Sequence, residues 1–232
     1  MTALVPRMIR ANGGYLEADV ALAPATVIFA HGSGSSRHSP RNRAVASALM
    51  EIGVGVVLVD LLTPAETVRD AQDESRRYDI GLLADRVCAA INWTHAQMEE
   101  PHHGAIGLYG ASTGAAAALI AAAQMPDHVG AIVSRGGRPD LAASVLPRVR
   151  APLRFIVGGD DLAVRAINQS STRQLTCTND LVVVPGAGHL FEEPGAMDAV
   201  VALACEWFTR HLTTATTETR APAGAGVVMR RM

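Results

Sequence analysis

The feature that most constrains the fold is residues 105–124, AIGLYGASTGAAAALIAAAQ. The apolar residues 105–109 predict a buried strand, and the alanine-rich run after Gly114 predicts a helix. Between them, Gly110-Ala111-Ser112-Thr113-Gly114 matches the pattern G-x-S-x-G. Between a strand and a helix this pentapeptide forms a turn so tight that the residues two before and two after the serine must be small. Ser112 is therefore a candidate nucleophile, although an ordinary turn in an alanine-rich chain would have a similar composition.

The rest of the chain alternates short apolar strands with amphipathic helices. Strands are predicted at 26–30, 54–60, 129–134, 153–157 and 181–184, and helices at 41–52, 82–98, 162–175 and 194–212. This alternation predicts an α/β fold, with a mostly parallel, doubly wound sheet and helices on both faces. Two weaker strand signals, at 5–10 and 15–22, flank Asn12-Gly13 and predict an antiparallel hairpin at the sheet edge.

The 232 residues fit one α/β domain, expected over 1–212. Residues 213–232 are rich in Thr, Ala, Gly, Pro and Arg without periodicity, which predicts a disordered tail. The connection between the strands at 129–134 and 153–157 is long enough for only one short helix. We therefore expect no cap domain and an open, shallow site.

Composition excludes several classes of protein. A formal net charge of −2 and a pI near 6.4 argue against a nucleic-acid or membrane surface. Every basic residue is arginine, so a Schiff-base lysine or a Ser–Lys mechanism is excluded. The three scattered cysteines fit neither a disulfide framework nor a metal site. We expect a cytoplasmic enzyme without signal peptide, membrane span, metal or cofactor, and the sequence leaves the oligomeric state open, a homodimer included.

Polar residues follow four of the predicted parallel strands: His31-Gly32-Ser33, Ser112, Asp161 and His189. A serine needs an imidazole to accept its proton, and the imidazole needs a carboxylate to fix its tautomer. The tetrahedral oxyanion needs two N–H donors, for which the amides of Thr113 and Ser33 are the candidates. The chain order Ser, Asp, His is the order of one of the three well-known serine-hydrolase arrangements. His31 is expected to shape the loop rather than act as the base.

These motifs resemble those of the α/β-hydrolase superfamily, in its dienelactone hydrolase-like group. The similarity extends from about residue 26 to 212 through HGSGSSRHSPRN, LYGASTGAAAAL, IVGGDD and PGAGHLF. The resemblance implies Ser112 as nucleophile, Asp161 as acid and His189 as base. True dienelactone hydrolases use a cysteine nucleophile and a glutamate in the first loop. The chain has Ser112 and His31-Gly32 there, which favours a serine esterase-type member acting on a small carboxylic ester or thioester.

Some assignments remain open at the level of sequence. Asp160 competes with Asp161 for the acid, and the G-x-x-D spacing from Gly158 favours Asp161. Acyl transfer through the same triad, and a non-catalytic binding module on the same fold, are alternatives to hydrolysis. Arginines cluster after two strands, at Arg37, Arg41, Arg43, Arg135 and Arg138. A solvated face is the ordinary explanation, and an anionic substrate is the alternative, with Arg37 and Arg135 as the expected substrate contacts.

Overall fold

The computed structural model describes residues 3–98 and 105–218. Eight strands form one sheet in the order β1-β2-β4-β3-β5-β6-β7-β8. Their bounds are β1 Val5–Ala11, β2 Gly14–Ala21, β3 Thr26–Ala30, β4 Gly55–Val59, β5 Ile106–Ala111, β6 Val129–Arg135, β7 Leu153–Gly158 and β8 Asn179–Val184. Strands β3 to β8 pair in parallel, whereas β2 pairs antiparallel with both β1 and β4. The predicted α/β fold and edge hairpin are therefore confirmed.

The described residues form six α-helices. They are α1 Pro40–Glu51, α2 Pro64–Asp73, α3 Ile80–Gln97, α4 Thr113–Gln124, α5 Leu162–Thr172 and α6 Ala196–Glu218, with 3₁₀ helices at Arg76–Tyr78 and Pro139–Arg148. Helices α1 and α6 pack on one face, and α3 and α4 pack on the other. Each face of the sheet is thus buried in its own apolar cluster, which explains why β3, β4 and β5 are buried along their whole length.

The polar segment 61–80, for which the sequence analysis predicts no regular element, contains a well-capped helix. Thr63 caps α2 by accepting from the Glu66 N–H, and the Glu66 carboxylate accepts from the Thr63 N–H in return. This reciprocal pair satisfies two backbone donors at the helix start. The sequence contains the capping-box pattern T-x-x-E at Thr63–Glu66, but the segment is too polar to show an apolar helical periodicity.

The last helix differs from the sequence-based prediction at its end. Helix α6 continues past Leu212 to Glu218, so the first part of the predicted disordered tail is helical. The remainder of that predicted tail, 219–232, lies outside the described residues. Within the described residues, β6 and β7 are joined only through the 3₁₀ helix Pro139–Arg148, and no domain is inserted there. None of the described helices has the length and apolar character that crossing a bilayer requires.

Candidate active site

Ser112 lies on the turn between β5 and α4, in a backbone conformation that only glycine adopts readily. Its φ is 52° and its ψ is −121°. A Cβ on Gly110 would come within 2.4 Å of Ala115 Cα, and one on Gly114 within 2.3 Å of the Ala30 carbonyl oxygen. The two glycines of G-x-S-x-G are therefore required by close approach of backbone, as the sequence pattern predicts. The serine is partly exposed at the carboxyl end of the sheet.

His189 and Asp161 are in direct contact. His189 Nδ1 lies 2.7 Å from Asp161 Oδ2, and the other carboxylate oxygen accepts from the Val164 N–H at the start of α5. The Asp161 side chain is 14% exposed. Asp160 is exposed, and its N–H donates to the Ala187 carbonyl. Of the two adjacent carboxylates, Asp161 is the one that contacts the imidazole.

Hydrogen bonds within the loop that carries His189 hold the conformation of this loop. The Gly188 N–H donates to Glu193 Oε1 at 2.9 Å, and the Phe191 N–H donates to the Gly188 carbonyl. Phe191 has a φ of 55° and is buried, so its ring anchors the loop. On the other side, a Cβ on Gly136 would lie 3.4 Å from His189 Cε1. The imidazole is thus held between its own loop and the end of β6.

The loop after β3 packs against the serine turn. The Ser33 N–H, one of the two expected oxyanion donors, donates to Thr113 Oγ1 at 2.8 Å. Thr113 is buried and is the first residue of α4. In this structure the Ser33 amide is therefore engaged by the residue that follows the serine, a contact between positions 80 apart that no local pattern signals.

The buried His31 ring holds the loop after β3 through two hydrogen bonds. Its Nε2 accepts from the Leu61 N–H, so Nδ1 carries the proton and donates to the Gly32 carbonyl. Burial lowers the pKa of His31 below 6.5, although the bond to Gly32 and the nearby Asp60 carboxylate oppose the shift. His31 is therefore neutral at pH 7 and shapes the loop, with both ring nitrogens already bonded.

Ser112 and His189 line one cleft of about 260 Å³. Its walls come from the loop after β3, the start of α1, the serine turn, the end of β6 and the His189 loop. The lining residues are Gly32, Ser33, Ser35, Ser39, Arg41, Asn42, Ala111, Ser112, Arg135, His189 and Leu190. Among the described residues, no group of three or more His, Cys, Asp or Glu could hold a metal ion.

The two predicted substrate arginines differ in their surroundings. Arg135, the last residue of β6, is 7% exposed and lines the cleft. Arg37 lies elsewhere, where its guanidinium bonds to Glu17 at 2.7 Å and also to Asp60. Arg37 therefore does not line the cleft, and its charge is already neutralised by carboxylates of β2 and of the chain after β4. A contact between Arg37 and substrate stays a prediction. Arg41 occupies the cleft instead; the sequence placed it in the same arginine cluster but could not give its direction.

The fold and the serine turn are those of the α/β-hydrolase class. A family model described as "Dienelactone hydrolase family" matches residues 13–217. The crystal structure of a dienelactone hydrolase from Anabaena variabilis is 47% identical, with a TM-score of 0.87 over 91% of this chain and 99% of that chain. The chain therefore belongs to the dienelactone hydrolase family.

Further comparisons concern the fold and two longer relatives. An α/β serine hydrolase without lid from Xanthomonas campestris shares the fold at 22% identity, with a TM-score of 0.72 over 90% of this chain and 95% of that chain. Two Mycobacterium tuberculosis proteins, each named "Putative phosphoribosyl transferase", are 50% identical over 80% of this chain. The chain spans only 41% of the length of these two relatives, so their name describes much longer proteins.

Proposed function

We propose that the chain is a serine hydrolase that cleaves a carboxylic ester or thioester through an acyl-enzyme on Ser112. The observation that carries the proposal is that Ser112, on its strained turn, shares a cleft with His189, whose Nδ1 lies 2.7 Å from Asp161. Membership of a hydrolase family supports the same reaction class. We do not propose phosphoribosyl transfer, because this chain spans only 41% of the length of the relatives that have that name.

The reaction follows from the tautomer that Asp161 imposes. With its Nδ1 proton donated to Asp161, His189 has a free Nε2 lone pair that can take the Ser112 hydroxyl proton as Oγ attacks the acyl carbon. The imidazolium then gives this proton to the departing alcohol or thiol, and the acyl group remains on Oγ. A water molecule, deprotonated by the same nitrogen, attacks the acyl-enzyme; the carboxylate product leaves and the Ser112 hydroxyl is restored.

The amides of Thr113 and Ser33 are the proposed oxyanion donors. Thr113 begins α4, so its N–H points out of the helix start, where negative charge is stabilised. The Ser33 N–H donates to Thr113 Oγ1 in the resting structure. The oxyanion therefore shares this donor with the threonine hydroxyl or replaces the hydroxyl as its acceptor.

The test is labelling with a fluorophosphonate probe, which reacts with activated serines. We expect stoichiometric labelling of the wild type and none of Ser112→Ala. His189→Ala and Asp161→Asn should label far more slowly, the latter by up to about 10⁴-fold, the effect of this change in a serine triad. Asp160→Asn is the matched control and should label like the wild type, since Asp160 is exposed beside the triad carboxylate.

The result also separates the proposal from its alternatives. A folded wild type that does not label would contradict the hydrolase proposal and favour a binding module on this fold. Labelling together with product formation from an added alcohol or amine, at the expense of hydrolysis, would favour acyl transfer.

A further inference from the structure

The turn at the end of β6, residues 135–138 and called the β6 turn below, holds the backbone of Ser112 on both sides. The Ser112 N–H donates to the Arg135 carbonyl, and the Arg138 N–H donates to the Ser112 carbonyl, each at 3.2 Å. A strained backbone conformation persists only where the surrounding structure fixes it. The β6 turn therefore supplies two of the hydrogen bonds that keep Ser112 in its strained conformation.

The β6 turn also lies against the candidate base. Gly136 has a φ of 52°, and a Cβ at this position would lie 3.4 Å from His189 Cε1 and 3.5 Å from His189 Nδ1. The Gly136 N–H donates to the Ile156 carbonyl of β7 at 2.8 Å. A displacement of the β6 turn would therefore change the surroundings of both Ser112 and His189.

Gly137 brings the β6 turn close to the sheet and to α4. A Cβ on Gly137 would come within 2.0 Å of Ser134 Oγ and within 2.7 Å of Ala115 Cβ. Such a close approach is possible only for a residue without a side chain. The Gly137 carbonyl is bonded to a different element, since it accepts from Asn168 Nδ2 of α5 at 2.9 Å.

Asn168 is a fully buried polar residue that belongs to none of the motifs recognised in the sequence. Its Nδ2 also donates to the Val164 carbonyl, one helical turn earlier, at 2.7 Å. Both acceptors are carbonyls, so the nitrogen of the amide, and not its oxygen, faces them. Asn168 Oδ1 is buried and has no hydrogen-bond partner among the described residues, which costs free energy. The bond that reaches outside α5 is the one to Gly137.

Val164 connects Asn168 to the candidate acid. Asp161 caps α5, and its Oδ1 accepts from the Val164 N–H, while its Oδ2 lies 2.7 Å from His189 Nδ1. The first turn of α5 thus carries Asp161, and the Asn168 amide joins that turn to the β6 turn. One buried side chain therefore links the element that holds the acid to the segment that holds the Ser112 backbone.

We propose that Asn168 is a positioning residue for the candidate triad, because its amide fixes the β6 turn relative to the start of α5. Through these two segments it holds Ser112 and His189 in register with Asp161. The inference rests on the proposed hydrolase function, and Asn168 itself touches neither the substrate nor the reacting atoms. Displacing a catalytic group by about 1 Å can cost on the order of 10²-fold in rate. Loss of the amide should therefore lower the reactivity of Ser112 and change substrate binding little.

The first experiment measures p-nitrophenyl acetate hydrolysis and fluorophosphonate labelling in Asn168→Leu, whose side chain has the same branching but no amide. We expect kcat per labelled site and the labelling rate to fall by at least about tenfold, with KM changed by less than about threefold. Counting labelled sites corrects for any unfolded protein. A lower stability in urea with an unchanged kcat per labelled site would show a structural role alone and overturn the proposal.

Ser171→Ala is the matched control in the same helix. Ser171 is buried, and its hydroxyl donates to the Ile167 carbonyl at 3.0 Å, a bond that stays within α5. Its loss should leave kcat and the labelling rate at the wild-type values. An equal loss of rate in the Ser171 and Asn168 variants would contradict a specific role for Asn168. Asn168→Ala covers the case in which Asn168→Leu does not fold, and it should lose rate in the same way.

Gly137→Ala disturbs the β6 turn by a second route, because the added Cβ would push the turn away from Ser134 and Ala115. We expect the same pattern, a lower kcat at a similar KM. If Asn168 acts through this turn, the double variant Asn168→Leu/Gly137→Ala should lose much less than the product of the two single losses. Single losses that multiply in the double variant would show that Asn168 acts by another route and would overturn the proposal.

Amide hydrogen exchange tests the positioning even if the wild type does not label. The Ser112 and Arg138 amides are bonded between the serine turn and the β6 turn. Both should exchange at least about tenfold faster in Asn168→Leu and at the wild-type rate in Ser171→Ala. Failed labelling together with this difference would contradict the hydrolase and still support the positioning by Asn168. Unchanged exchange of both amides would overturn the positioning, whatever the labelling shows.

Discussion

At the scale of single residues, Ser112 shows how a position that is unfavourable for stability can be the one proposed for chemistry. Its φ of 52° with ψ of −121° is a conformation that a side chain adopts only at a cost of about 1–3 kcal/mol. Gly110 and Gly114 allow this turn by leaving room for the backbone around it. The strain aims the hydroxyl out of the sheet, toward the cleft shared with His189.

This strain predicts that a glycine at position 112 stabilises the fold while abolishing activity. We expect Ser112→Gly to be more stable than Ser112→Ala by about 1 kcal/mol. Glycine relieves the backbone strain, and the greater conformational entropy of glycine in the unfolded chain offsets only part of that gain. Urea unfolding of the two inactive variants measures the difference. Equal or lower stability of the glycine variant would contradict this account of the turn.

The sequence predicted the positions of some site residues but not the contacts of others. Ser112, Asp161 and His189 follow predicted strands in a recognisable order, and strand ends meet at one edge of a parallel sheet. The directions of Arg37 and Arg41 depend on which carboxylates lie nearby, and Glu17 and Asp60 reach Arg37 from distant parts of the chain. Such contacts leave no local pattern.

At the scale of elements, the buried Arg86 of α3 joins three parts of the structure. Its guanidinium bonds to the Asn12 carbonyl in the turn between β1 and β2, and to Glu66 Oε1 in α2 at 2.8 Å. The carboxylate of Glu66 also closes the capping box with Thr63. One carboxylate thus holds the start of α2 and links it to α3 and to the edge hairpin.

The surroundings of Glu66 predict a loss of stability in acid. Burial favours the protonated form, but the bonds with Thr63 and the Arg86 guanidinium outweigh it and lower the pKa of Glu66 below 4.5. The unfolded chain therefore takes up the proton first as the pH falls. The contribution of Glu66 is complete above pH 4.5 and decreases as the pH drops toward the lowered pKa of the folded state.

Urea unfolding at pH 7 and pH 3.5 measures this effect. Glu66→Gln should be less stable than the wild type at pH 7, and its free energy of unfolding should change less between the two pH values. Glu51→Gln, at an exposed position at the end of α1, is the control and should keep the wild-type dependence. An unchanged pH dependence in Glu66→Gln would refute the assignment.

At the scale of the whole molecule, the sheet order places the site at an open edge. The loops after β3, β5, β6 and β8 form the cleft, and β6 connects to β7 without an inserted domain in the described chain. The cleft volume of about 260 Å³ is below the range of about 300–1,000 Å³ that encloses drug-sized ligands. The shape therefore favours short acyl groups.

This shape predicts the chain-length preference on neutral esters. We expect kcat/KM for p-nitrophenyl acetate or butyrate to exceed that for the decanoate by at least about tenfold, because the longer chain finds no enclosed apolar surface. The series is measured at one low detergent concentration, with Ser112→Ala as the blank for each ester. A rate that rises with chain length would mean that an acyl pocket forms elsewhere.

The sequence by itself determined the α/β class, the serine turn and the chain order of the three candidate triad residues. Each of these depends on neighbours in the chain: apolar runs, helical periodicity, and small residues two positions on either side of Ser112. The tertiary structure alone decided which side chains are paired across long separations. The Ser33 amide meets Thr113, Arg37 meets its carboxylates, and Arg135 meets none, because these contacts are set by how the strands are ordered in the sheet.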